Sequence, residues 1–442
     1  MSNFSRRKFL FTAATATAST LLIHGCTSGS NNNTTTAGTV PAANVNPADS
    51  PEVTGAKLGF IALTDAAPLI IAREKGMFAK YGMPDVEVLK QASWGTTRDN
   101  LELGSTGGGI DGAHILTPMP YLMALGTVTQ QPVPMYILAR LNYNGQGIQL
   151  SNNYKDLGVG IDAKALKDGF AREKANGRND LKAAMTFPGG THDLWIRYWM
   201  SAAGINPDTD VSTIVVPPPQ MVANVKVNNM EAFCVGEPWP LQTVNQGIGF
   251  MAATTGELWK DHPEKAFAMR ADWVDSHPKA AKALLMAVME AQQWCDQAEN
   301  KEEMCQILAK REWFRVPFDD IIDRSLGKYD YGTGRVEDFS NSLVMKYWKD
   351  NASYPYKSHD LWFLTENIRW GYLKPDTDTQ AIIDKVNRED LWREAAQTMG
   401  VPTAQIPSSP SRGVETFFDG VTFDPENPEA YLRRLEIKKV NI

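Results

Sequence analysis

Short apolar runs alternate along the chain with stretches whose apolar side chains recur every three or four residues, which predicts strands interleaved with helices. Residues 57–63, KLGFIAL, read as a strand. Asp65 is placed to cap the helix that follows, where Ile70, Met77, Phe78 and Tyr81 keep helical spacing until Gly82 stops it. Residues 86–89 supply the next strand, so this is a βαβ unit and predicts a parallel sheet. Runs at 112–116, 118–125 and 133–139 continue the alternation. A second series begins near Asn152, with strands at 181–187, 212–216 and 231–235 and helices at 191–203 and 220–227. From about His262 the pattern turns helical, most strongly over 279–309. The expected architecture is α/β, two lobes with helical additions to the first.

Length agrees with more than one lobe, since 442 residues exceed what a single simple core organises. A composition of 43% apolar and 21% charged residues is that of an ordinary globular protein. Net charge is −7 and no lysine-arginine block occurs, which excludes nucleic acid as a partner.

The first residues carry a different signal. Ser5-Arg6-Arg7-Lys8-Phe9-Leu10 is a twin-arginine pattern followed by an apolar stretch too short to span a bilayer. It ends at Ile23-His24-Gly25-Cys26, similar to a bacterial lipobox with an atypical His24. Residues 1–25 therefore read as a signal peptide and Cys26 as the lipidated residue. Residues 26–54 are rich in Ser, Thr, Asn, Gly and Pro and nearly free of large apolar side chains, the composition of a flexible tether. Three cysteines remain: Cys234 lies in an apolar run and is expected in the core, while Cys295 and Cys305 could pair in an oxidising compartment.

Catalytic and metal motifs are missing: there is no HExxH, GxSxG, Walker A loop or GxGxxG, and the glycines 107–109 lack a following lysine. No metal, cofactor or catalytic residue is expected. What remains suits the holding of a small anion. His192 lies in the first turn of a helix entered through Gly189-Gly190, where free N–H groups favour negative charge. Trp94 follows a strand, Gln146 lies in Asn144-Gly145-Gln146-Gly147 beyond another, and Lys265 follows His262-Pro263-Glu264. Taken singly, each has an ordinary explanation: a capping histidine, a core tryptophan, a solvated glutamine, a solvated lysine. Together, most stand near strand ends or glycine turns, where clefts are built.

These residues occur with Glu74-Lys75-Gly76-Met77-Phe78-Ala79-Lys80-Tyr81-Gly82, Asn144-Gly145-Gln146, Gly189-Gly190-Thr191-His192-Asp193-Leu194-Trp195, Gly236-Glu237-Pro238-Trp239 and His262-Pro263-Glu264-Lys265-Ala266-Phe267. With the leader, this set resembles the cyanobacterial nitrate/nitrite-binding lipoproteins, the solute receptors of nitrate ABC transporters, and the resemblance runs from leader to tail. It implies a type II periplasmic-binding clamp, with 55–147 and 262–442 as lobe I and 148–261 as lobe II. It further implies an anion held between the lobes by Trp94, Gln146 (or its neighbour Gln149), His192, Gly236, Glu237 and Lys265. The implied partners are nitrate or nitrite, the permease and ATPase subunits, and the membrane through a lipid anchor on its periplasmic side.

Nitrate is planar, singly charged and acceptor-only, so its site should present donors. A carboxylate facing it would repel it by about 4 kcal/mol at about 4 Å in an effective dielectric near 20. The Gly236-Glu237 backbone is therefore expected to supply the donor, the missing Cβ of Gly236 letting the anion approach, while the Glu237 side chain turns toward Lys265 or His192. The related bicarbonate receptors carry an acid where Lys265 stands, which favours nitrate over bicarbonate here. Other readings are a receptor for bicarbonate or another oxyanion, a regulatory anion sensor, and an enzyme on the same clamp resembling the pyrimidine synthases of thiamine biosynthesis. The last requires a cysteine cluster that this chain lacks.

Overall fold

The computed structural model describes residues 50–440, and the leader, Cys26 and most of the expected tether lie outside them. Ten strands build two five-stranded sheets. In chain order they are β1 (Lys57–Phe60), β2 (Glu87–Lys90), β3 (Gly112–Leu116), β4 (Met135–Tyr143), β5 (Gln146–Ser151), β6 (Lys182–Met185), β7 (Ser212–Val215), β8 (Ala232–Gly236), β9 (Gly249–Thr254) and β10 (Pro263–Arg270).

The first sheet runs β2-β1-β3-β10-β4 and the second β7-β6-β8-β5-β9. Each has three parallel strands, made by helical crossovers, followed by an antiparallel strand delivered from the other sheet. The chain passes from β4 to β5 through Asn144-Gly145, both at positive φ, and returns from β9 to β10 after the short helix Thr255–Leu258. An antiparallel strand starts at the edge where its parallel neighbours end. The first residues of β5 and β10 therefore stand beside the carboxyl ends of β1, β3, β6 and β8, and both sheets face one cleft with the same edge. This is the two-sheet α/β architecture of periplasmic binding proteins.

Several expectations change. The strand at 57 stops at Phe60, and Thr64–Ala66 form a 3-10 turn in which Asp65 caps nothing, because Ala66 precedes the helix Ala67–Glu74. Gly76, at φ 70°, breaks the expected first helix before Met77–Lys80. The region after His262 opens not with a helix but with β10, buried between β3 and β4. Gln146 lies in no loop; it is the first residue of β5 and is fully buried. The helical run at 279–309 is two helices, Pro278–Cys295 and Lys301–Ala309.

The helical additions fasten the two lobes together. Trp195, from the helix Thr191–Ala202 of the second lobe, stacks on Trp362 of the helix Lys357–Arg369, with ring centroids 5.0 Å apart. Trp259, in the returning crossover, meets Trp362 edge-on at 5.1 Å. Asn367 on the same late helix donates from Nδ2 to the Gly189 carbonyl at 3.1 Å, tying down the glycine turn before His192. Cys234, Cys295 and Cys305 are all buried free thiols, so the pairing left open for the last two is not formed.

Candidate functional site

Residues from distant parts of the chain meet around one buried ammonium. Lys265 stands at the start of β10, with its side chain fully buried. Its Nζ lies 2.9 Å from Asp65 Oδ2 and 2.8 Å from Glu264 Oε1. It also approaches Gln146 Oε1 at 3.4 Å and stands 5.9 Å from the ring centre of Trp94. Burial alone would lower the lysine's pKa, but the two carboxylates reverse this and hold it above its ordinary value, so Lys265 is charged.

The acids are fixed in turn. Asp65 Oδ1 is 2.6 Å from His114 Nε2, and its Oδ2 accepts the Gln146 amide Nε2 at 3.1 Å. Burial would raise the Asp65 pKa; Lys265 and His114 outweigh it and leave the carboxyl well below the usual range. Glu264 accepts from Thr191 Oγ1 and, at 2.7 Å, from Trp195 Nε1. Here burial prevails over Lys265, and the carboxyl is raised.

His192 enters from the opposite lobe. Its Nε2 is 2.8 Å from Gln146 Oε1 and its Nδ1 2.6 Å from Thr186 Oγ1. Because the Gln146 amide nitrogen is engaged by Asp65 and the Asn144 carbonyl, its oxygen must face the histidine. Nε2 therefore carries the proton, and the 3.4 Å approach of Lys265 Nζ to the same nitrogen is a contact between two donors. Burial, with Lys265 adding to it, holds the His192 pKa well below its ordinary value, so the imidazole is a neutral donor. Two N–H donors, one neutral and one charged, thus converge on the position of Gln146 Oε1.

Gly236, the last residue of β8, packs its backbone directly against that point. A Cβ there would lie 2.5 Å from Gln146 Oε1 and 3.2 Å from Leu63 Cδ2. Trp94 begins the helix Trp94–Leu103, capped by Ser93, and is tilted against His114 with ring centroids 5.3 Å apart. Its indole N–H is buried without a partner. Gln149 lies on the other face of β5, because side chains alternate along a strand, and so belongs to a different environment from Gln146.

Trp94, Gln146, His192, Gly236 and Lys265 thus come together. Glu237 does not join them in the expected way. Its side chain turns from Lys265 and His192 and stands with Oε1 3.2 Å from Arg324 Nε, not aligned as a hydrogen bond, while Oε2 accepts the Leu241 N–H at 3.1 Å. Its backbone N–H is taken by the Gly145 carbonyl at 3.1 Å, so the expected backbone donor is already engaged. Its carbonyl accepts from Thr64 N at 2.7 Å, which joins the lobes, as does Trp239 Nε1 donating to the Ala62 carbonyl at 3.0 Å. Sequence reasoning missed Asp65, His114, Thr191 and Glu264 as members of the cluster. Glu264 adjoins Lys265, but nothing local distinguishes it from a solvated acid. A surface depression of about 670 Å³ between the helices Pro278–Cys295 and Glu389–Thr398 shares no residue with the cluster.

Comparison with known proteins gives a consistent picture. The NMT1-like family matches residues 49–309. The chain is similar over its whole length to a nitrate/nitrite binding protein of Synechocystis sp. PCC 6803, at 72% identity and with all of both chains covered. It is 45% identical to a bicarbonate-binding protein of Synechococcus elongatus, over 98% of each. The crystal structure of the periplasmic nitrate-binding protein from Synechocystis PCC 6803 superposes with a TM-score of 0.86 at 77% identity, covering 88% of this chain and 100% of that one.

Glu237 makes a stability prediction. Burial, only partly offset by Arg324, raises its pKa to about 7. Between the ordinary carboxyl range and that value the folded state binds the extra proton. Stability from this group is therefore complete at acid pH and falls as pH rises through about 7, by on the order of 3 kcal/mol in all. Denaturant unfolding from pH 5 to pH 8 should show a steeper loss of stability in the parent than in Glu237→Gln. Parallel curves would contradict this assignment.

Proposed function

The chain belongs to the NMT1-like family, and from that membership we propose that it is a solute receptor that captures nitrate or nitrite in the periplasm and passes it to an ABC-transporter permease. The observation that carries the reading is the convergence of His192 Nε2 and Lys265 Nζ beside Gly236, with the unpartnered Trp94 indole close by. His192 and Lys265 already converge on the Gln146 oxygen, so an acceptor-only monoanion engages them by sharing or displacing that oxygen and takes the free Trp94 N–H in addition. The ammonium supplies the charge and the neutral imidazole adds direction.

Hydrogencarbonate is a poorer match, because it brings an O–H that requires an acceptor. The carboxylates at hand, Asp65 and Glu264, already accept from Lys265, Gln146, Thr191 and Trp195 and are paired with His114. Dianions are opposed by the same two acids. Binding and release need no covalent step, so the molecule acts as a receptor and not as an enzyme. Since Lys265, His192, Gln146, Asp65 and Glu264 are fully buried, the anion enters when the lobes separate and the observed arrangement is a closed form.

The site predicts its own perturbations. Lys265→Ala removes a charge-assisted contact and should weaken nitrate binding by about ten- to a hundredfold, about 1.5–3 kcal/mol. Gly236→Ala should also weaken it, since the new methyl displaces the Gln146 oxygen. Calorimetric titration of both folded variants checks this, and affinities within about twofold of the parent in both would remove these residues from the site.

Cys26 lies outside the described residues, and the lipid anchor rests on the lipobox-like sequence before it. In cell fractionation, Cys26→Ser should be exported yet recovered in the soluble periplasmic fraction. Retention on salt-washed membranes would speak against lipidation at Cys26.

A further inference from the structure

Resting on the reading that the site takes a monoanion, we propose that one proton is taken up with each anion captured, and that Glu264 holds it. The Lys265 ammonium has three N–H groups. Two face carboxylates, Asp65 at 2.9 Å and Glu264 at 2.8 Å, and the third approaches Gln146 Oε1 at 3.4 Å. An anion taking that third contact would put three negative charges around one positive charge where no solvent reaches. Burial of that imbalance is costly, and one proton returns the cluster to the net charge it had before the anion arrived.

The groups facing Glu264 leave few other places for the proton. From the helix Thr191–Ala202, His192 stands 3.5 Å from Oε1 as a neutral donor with Thr186 filling its other nitrogen, and Thr191 and Trp195 do not titrate in this range. From the returning crossover, His262 lies 3.6 Å from Oε2 and burial lowers its pKa to about 3, with His359 and Arg412 behind it working in the same direction. From β3, burial drives His114 toward neutrality although Asp65 partly resists. From β8, burial holds the Cys234 thiol protonated. Asp65 has both Lys265 and His114 to keep it ionised.

Glu264 differs from Asp65 in lacking the imidazole that Asp65 has in His114 on its other oxygen. Its partners besides Lys265, Thr191 Oγ1 and Trp195 Nε1, are neutral donors. An anion drawing on Lys265 weakens its one charged support. The proton comes from solvent as the cleft closes, binds a Glu264 oxygen, and returns to solvent when the anion leaves.

The test is calorimetric titration of the purified full chain with nitrate, in phosphate and in Tris, from pH 5 to pH 8. Above the free-state pKa of Glu264, the apparent enthalpies should differ between the buffers by the equivalent of about one proton per nitrate, and affinity should fall by up to about tenfold per pH unit. Glu264→Gln should bind nitrate with the same enthalpy in both buffers and without the pH slope. Thr191→Val removes a donor from Glu264 and should reduce proton uptake at the acid end of the range, because more of the free protein is already protonated there. Buffer-independent enthalpy in the parent, undiminished uptake in Glu264→Gln, or an unmoved uptake curve in Thr191→Val would each overturn the proposal. Absence of any nitrate binding by the parent would instead reject the receptor function on which it rests.

Discussion

A buried ammonium held between two carboxylates is the constraint around which this molecule is arranged. Lys265 sits on the first residues of a central strand, Asp65 on the turn leaving another, and Glu264 beside the lysine under the donors of a helix from the opposite lobe. Leaving any one charge unmatched in this setting would be strongly unfavourable, since removing one partner of a buried pair costs about 3–5 kcal/mol. The two crossovers bring these groups together. Each inserts an antiparallel strand whose start lies at the carboxyl edge of its parallel neighbours. The lobes are therefore not independent bodies that happen to adjoin a ligand; their shared edge is itself an electrostatic unit.

Much of this was legible in the sequence wherever the signal was local. The alternation of strands and helices gave the α/β class. The glycine turn before His192 predicted a helix start with free N–H groups, and the helix begins at Thr191. Legibility failed where tertiary partners decide. β10 is paired on both sides, so its apolar positions do not alternate, and a run of PEKAFAMR beside long helical stretches reads as more helix. β5 opens with QGIQ directly after a turn, so polar and glycine residues concealed a strand and made Gln146 look solvated. Asp65 resembles a helix cap in sequence, but its partners, His114, Gln146 and Lys265, lie 49, 81 and 200 positions away along the chain. Glu237 was expected to orient Lys265 or His192, but Asp65 and Glu264 already occupy that ammonium, Thr186 and Gln146 occupy the imidazole, and Arg324 from a late helix stands beside Glu237 instead.

The distribution of charge also explains how an acidic protein can hold an anion. Solvent and salt screen the net charge of −7, with a Debye length of about 8 Å at physiological ionic strength, so local donors dominate. Within the cleft the histidines are neutral, and the single cation already faces two carboxylates before any anion arrives. Such a site favours a ligand that accepts hydrogen bonds, carries one charge and offers no proton of its own. Selectivity then follows from how few unpaired acceptors the site contains, and it needs no close fit to the ligand's outline.

That selectivity is the most direct test of the account. Titrating the mature chain at neutral pH with nitrate, nitrite, hydrogencarbonate and sulfate, each in the same buffer, ranks the anions by affinity. Nitrate and nitrite should bind saturably, with hydrogencarbonate and sulfate weaker than nitrate by at least about a hundredfold, close to 3 kcal/mol. Hydrogencarbonate or sulfate binding as tightly as nitrate would contradict the assignment of the Lys265 cluster as a donor-lined site for an acceptor-only monoanion.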